Sequence, residues 1–153
     1  MENTTESYVE IIEKAIGKIG LDPESTRTQR TGVWTLQKGS SKIFIELFQV
    51  AQNSPFYFGV TSPIMKLPQS NLETFLKDIF QLNHMMVGAA FSLQKDVIFI
   101  RFNRPIKGMD EEEAFDMIMT VGEAADHYDN ILQEKYPFRE PIGFKTNQQE
   151  EDN

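Results

Sequence analysis

Five short aromatic-rich runs with the period-two spacing of strands, divided three and two by a stretch of helical spacing, limit what this chain can become. The first three runs centre on Trp34, Phe44 and Phe58, the last two on Phe91 and Phe99. Period-two alternation is the pattern of a strand, and recurrence every three or four residues that of a helix. In 33–37, Trp34 and Leu36 share a face; in 42–49, Ile43, Ile45 and Leu47 do. Lys38, Gly39, Ser40 and Ser41 between them read as a short hairpin connection. A third strand over 56–61 puts Phe56, Phe58 and Val60 on one side, and Pro63 and Pro68 are expected to stop it. Connections this short place successive strands side by side and antiparallel.

Helical spacing appears in three places. Over 6–19, Tyr8, Ile12, Ala15, Ile16 and Ile19 form one stripe, and Gly20 is a natural stop. Leu72, Phe75, Leu76, Ile79 and Leu82 form the second, with Ser70 or Asn71 as cap. Glu73, three residues after Ser70, predicts a capping box. Gly88 is expected to end that helix, and strands over 89–93 and 97–103 follow, joined by a turn at 94–96. The third stripe runs through Ala114, Ile118, Val121, Ala125, Tyr128 and Leu132, long enough to cover a sheet. Asp110 is its predicted N-cap, Glu111 to Glu113 suit the positive pole of its dipole, and Pro137 ends it.

At 153 residues, 40% of them hydrophobic, the chain has the size of one domain with a sizeable core. Residues 1–137 read as that domain. Residues 138–153 form a C-terminal segment whose polar end is expected to be mobile. The net charge of −8 disfavours phosphate backbones, so no nucleic-acid partner is expected. Lys14, Lys18, Arg27, Arg30, Lys38 and Lys42 read as scattered solvated charge. No stretch approaches the roughly 20 apolar residues of a membrane span, so no membrane association is expected. The N-terminal residues lack the basic and apolar segments of a secretory signal. With no cysteine there is no disulfide framework or thiolate site, and a cytoplasmic location is expected.

Candidate chemistry is sparse. His84 and His127 are the two histidines, far apart and without an HExxH or His/Cys cluster, so no metal or cofactor is expected. The acidic run 110–113 is explained by its place at a helix start, without a cation. Gly32, Gly39, Gly59 and Gly88 are isolated and form no phosphate loop. No G-x-S-x-G elbow marks a nucleophile. Arg101 and Arg104 flank Phe102 and are candidates to grip an anionic group, though solvent-facing strand positions explain them too.

This order of elements resembles the type III secretion chaperone-like fold, and in particular its YbjN family of bacterial proteins. The residues that carry the likeness are Val33, Trp34, Thr35 and Leu36; the helix-to-strand run 82–88 with His84, Met85, Met86 and Gly88; and Ala124, Ala125, Asp126, His127, Tyr128 and Asp129. It spans about 8–135. The resemblance implies an α+β fold: helix, three strands, helix, two strands, helix, with a five-stranded antiparallel sheet packed by helices, and often a homodimer. It also implies binding of other polypeptides or regulation. The family supplies no catalytic motif, so no enzyme activity is expected.

One pattern asks for a partner. Phe44 and Phe48 alternate with Ile43, Ile45 and Leu47, and Val97 and Phe99 alternate with Ile98, Ile100 and Phe102. A sheet with one wet face alternates apolar and polar; these strands are apolar on both sides. Either the segment 138–144, with Phe138 and Phe144, covers the second face, or another polypeptide or a second copy does. The expected docking residues are Phe44, Phe48, Phe80, Met85 and Met86, which would accept an amphipathic helix or an added strand. The alternative is a small-ligand sensor or enzyme, with a pocket between the sheet and the last helix drawing on Arg101, Tyr57 and His127.

Overall fold

A computed structural model describes residues 5–137; the expectations for 138–153, including a covering segment at 138–144, lie outside the described residues. The elements are α1 (Thr5–Lys18), α2 (Pro23–Thr26), β1 (Val33–Lys38), β2 (Ser41–Gln49), β3 (Phe56–Lys66), α3 (Leu72–Met85), β4 (Ala90–Gln94), β5 (Val97–Pro105) and α4 (Glu111–Lys135). This is the expected α+β order. The single turn of α2 is an addition where the sequence reads as a plain turn. It forms because the Asp22 carboxylate accepts from the Glu24 N–H at 3.2 Å and Pro23 opens the helix with its fixed φ.

The five strands form one antiparallel sheet in the order β1-β2-β3-β5-β4. Register sets the core. Trp34 lies opposite Ile45, Ile45 opposite Val60, and Val60 opposite Phe102, while Leu36 faces Ile43. Trp34, Leu36, Ile43, Ile45, Phe58, Val60, Ile98 and Ile100 are buried. Above them α4 crosses β2, β3 and β5 and runs beside α1, burying Ala114, Ile118, Val121, Ala125 and Leu132. Tyr8, Ile12, Ala15 and Ile16 complete the layer from α1. Each fully buried Ile or Phe contributes about 1.5–3 kcal/mol, so this single interface dominates the stability.

Two local expectations are corrected. Pro63 does not stop its strand: β3 continues to Lys66. The β2 ladder has ended by Thr61, the Ser62 hydroxyl donates to the Lys42 carbonyl at 2.7 Å, and the β5 register slips between Pro63 and Met65. A proline without an N–H is tolerated at such a bulge. Nor does Ser70 form a capping box with Glu73. The chain enters α3 through Asn71 in the left-handed region (φ 55°), which makes no side-chain cap bond. By contrast α4 carries a full capping box: the Asp110 carboxylate accepts from the Glu113 N–H at 2.8 Å, and Glu113 accepts from the Asp110 N–H at 3.1 Å.

Both sheet edges are partly closed. On β4, the side-chain amide of Asn83 accepts from the Phe91 N–H at 2.7 Å and donates to the Phe91 carbonyl at 3.2 Å. On β1, the Thr28 N–H donates to the Val33 carbonyl at 3.1 Å. Exposed strand edges invite unwanted pairing, and these contacts remove part of that invitation.

Candidate functional site

With α1 and α4 on one side of the sheet, no described element covers the other. The outward alternates of β2, β3 and β5 therefore form an open face. Phe44 lies opposite Thr61, and Thr61 opposite Arg101; one row on, Glu46 faces Gly59, and Gly59 faces Asn103. Phe48 lies opposite Tyr57, and their rings stack with centroids 5.7 Å apart at 26°. Lys42 places its ammonium 5.2 Å from the Phe44 ring centre. Phe44, Phe48 and Tyr57 are half-buried. At the centre is a depression of about 270 Å³, lined by Phe44, Phe48, Gly59, Thr61, Arg101 and Asn103, with Glu46 and Phe99 among its remaining walls.

Charge on this face is arranged simply. Glu46 is paired with Arg30 at 3.1 Å. The Asn103 amide, oriented with its oxygen towards Arg101, accepts from Nε at 2.7 Å and Nη2 at 2.8 Å, and donates to the Phe102 carbonyl at 3.1 Å. Arg104 belongs elsewhere: its guanidinium pairs with Glu113 at 2.8 Å and donates to the Pro105 carbonyl at 2.9 Å. The two arginines that flank Phe102 thus do not converge on one ligand. Strand alternation by itself places Arg101 and Phe102 on opposite faces.

The five residues expected to dock a partner fall on two surfaces. Phe44 and Phe48 lie on the open face. Phe80, Met85 and Met86 belong to α3 and its C-cap, and α3 sits with the end of α4. Phe75 meets the Tyr136 ring edge-on at 5.0 Å, and Asp78 binds Lys135 at 2.7 Å. On the outside of α3, Phe80 is 72% exposed and Met85 68%, with Val87 at 89% just beyond. Met86 instead packs on the core. Tyr57 and Arg101 lie on the open face while His127 is exposed on α4, beside Tyr128, so the three residues of the pocket alternative are not brought together. Ile43, Ile45, Val60, Ile118 and Val121 are buried where sheet and α4 meet.

The carboxyls with displaced titration are in helix contacts. Glu13 is held below the usual carboxylate range chiefly by hydrogen bonds from Arg27, with Trp34 Nε1 adding another at 3.2 Å. Asp78 is lowered by Lys135 and by the Tyr136 hydroxyl. Asp129 is raised by burial. Among the described residues no group of three or more His, Asp or Glu could hold a metal ion, and no helix is long and apolar enough to cross a membrane. Thr61, Asn103 and above all Gly59 are site residues that sequence reasoning missed. The available signal was a lone glycine inside a strand, which often marks a close approach of other groups.

No curated protein matches the chain in sequence. The fold is that of several solved type III secretion proteins. The ExsC–ExsE complex aligns with a TM-score of 0.63 at 10% identity, covering 85% of this chain and 96% of the other. The HopA1–SchA chaperone–effector complex gives 0.61 at 7% identity, covering 84% and 99%. The Yersinia pestis secretion chaperone SycH, with a fragment of YscM2, gives 0.58 at 14% identity, covering 78% and 98%. At such identities the likeness concerns fold alone. Residues 8–134 match the family profile described as "YbjN: Putative bacterial sensory transduction regulator", and the chain belongs to the YbjN family.

Proposed function

We propose that this chain is a non-enzymatic polypeptide-binding module, chaperone-like or regulatory, which docks a partner segment on its open sheet face and pairs with a second copy through α3. The observation that carries the reading is the aromatic surface of Phe44, Phe48 and Phe99, which no described element covers. Apolar patches that persist on a folded surface mark interaction sites. Structures that share the fold support the reading, since ExsC–ExsE and HopA1–SchA are complexes of two proteins.

The α3 surface suits self-pairing. Leu72 and Phe80 are exposed along its outside, and Met85 and Val87 extend the apolar surface. A two-fold interface brings one patch against itself, and methionine adapts well to such contacts. The sensor or enzyme alternative has no comparable support, because Arg101, Tyr57 and His127 are dispersed. The module reading places the protein in the cytoplasm.

Light scattering and binding measurements test it together. The expected mass is twice the 17.6 kDa of one chain, halved by Phe80→Glu with Met85→Glu. A polypeptide recovered with the protein from its own cells should be lost from Phe44→Asp and Phe48→Asp chains whose circular dichroism is unchanged. A monomer that carries no polypeptide, or binding indifferent to both sheet substitutions, overturns the proposal.

A further inference from the structure

On the open face, no carboxylate among the described residues pairs with Arg101. Glu46 is satisfied by Arg30 at 3.1 Å. Arg101, in the row of Phe44 and Thr61, has only the neutral Asn103 amide as partner among the described residues. In a chain of net charge −8, an arginine in an aromatic depression whose one acidic wall, Glu46, is paired with Arg30 is unexpected.

Its chemistry is selective. A guanidinium has five N–H donors in a rigid planar fork. Asn103 engages Nε and Nη2, which fixes the plane and leaves other donors of the fork without an acceptor among the described residues. A fixed fork is the form in which arginine grips a carboxylate with two parallel hydrogen bonds. Size narrows the ligand further. Enclosed small-molecule pockets run from about 300 to 1,000 Å³ and surround most of the ligand, whereas this depression is about 270 Å³ and open. It fits one or two side chains of a longer chain that lies across the face.

We infer that the partner segment docked on this face presents an aspartate or glutamate to Arg101, flanked by apolar side chains that rest on Phe44 and Phe48. This rests on the docking face proposed above and names the chemistry of its occupant. The carboxylate displaces water from the guanidinium as the flanking groups cover the rings, so the ion pair forms in a drier setting than an ordinary surface bridge.

Fluorescence anisotropy with the full chain tests it. The probe is a short fluorescein-labelled peptide alternating threonine with isoleucine or phenylalanine around a central glutamate; its control has glutamine there. The glutamate peptide should bind about fivefold or more tightly than the glutamine peptide, the preference should fade with salt, and Arg101→Gln should abolish that preference. Phe48→Asp should weaken both. Equal affinity for the two peptides, or a preference that survives Arg101→Gln, overturns the inference while loss of both in Phe48→Asp keeps the docking face. Absence of any binding at millimolar peptide overturns both. Displacement of the probe by free propionate at the peptide's own concentration points to a small-molecule site and overturns the inference. Displacement by a peptide of residues 138–153 at the affinity of the probe points to the chain's own C-terminal segment and also overturns it.

Discussion

A Cβ at position 59 would lie 2.6 Å from the Asn103 side-chain amide and 3.0 Å from Cε1 of Phe48. The depression therefore exists because β3 carries no side chain there. In Gly59→Ala the Asn103 amide must swing away, which breaks its bonds to Arg101, and the methyl occupies the floor. Stability should change little: alanine gains about 0.5–1 kcal/mol over glycine in a strand interior, and displacing an exposed amide offsets it. The melting temperature is expected within about 3 °C of wild type, while affinity for a polypeptide on this face falls severalfold. A variant that binds as tightly as wild type would remove the depression from the docking surface. Gly88 makes the opposite case. Its φ is +79° and an added Cβ would run into the Phe102 ring, so Gly88→Ala combines strain with a clash and should lower stability without touching the open face.

At the scale of elements, α3 and α4 begin differently although both starts show a polar residue three ahead of a glutamate. Asp110 and Glu113 form a reciprocal cap; Ser70 and Glu73 do not, because left-handed Asn71 moves the start of α3 on by one residue. Asp110→Ala should cost about 1 kcal/mol, a fall of about 2–4 °C in melting temperature for a chain of this size, readable by circular dichroism. Ser70→Ala should change nothing measurable, and an equal loss from both would mean that the Asp110 cap contributes no more than an ordinary polar residue. The same comparison explains what the sequence can disclose. Strand alternation is legible because burial enforces it on every second residue, so the faces of Ile43 and Ile45 against Phe44 and Phe48 follow directly. The passage of β3 through Pro63 is not, since it depends on where the β2 ladder ends and on Ser62 reaching Lys42. The pairing of charges on the open face is hidden for a like reason: Arg30 and Glu46 are 16 positions apart and meet only after the β1 hairpin has formed.

Across the whole molecule, one side of the sheet is closed by helices that acidic side chains tie in place, and those ties make the closure sensitive to pH. Glu13 on α1 accepts two hydrogen bonds from Arg27, at 2.6 and 2.8 Å, and one from Trp34 in β1. Asp78 on α3 binds Lys135 and Tyr136 at the end of α4. Both carboxyls titrate below their usual range, so the folded state binds their protons less readily than the unfolded chain does. Their contribution is complete at neutral pH and is lost as pH falls below about 4 and through the lowered folded values. Asp129 acts in the other direction, because burial raises it and the folded state gains from its protonation. The net acid response is a balance, and a single variant isolates one arm. Arg27 is half exposed, which screens the charge, so the Glu13 contact should be worth only a few degrees. Glu13→Gln should melt below wild type at pH 7, and the gap should narrow towards pH 3 as the wild-type carboxylate takes up its proton. A gap that stays constant from pH 7 to pH 3 would show that α1 is held by the apolar contacts of Ile12 and Ile16 alone, with its carboxylate a bystander.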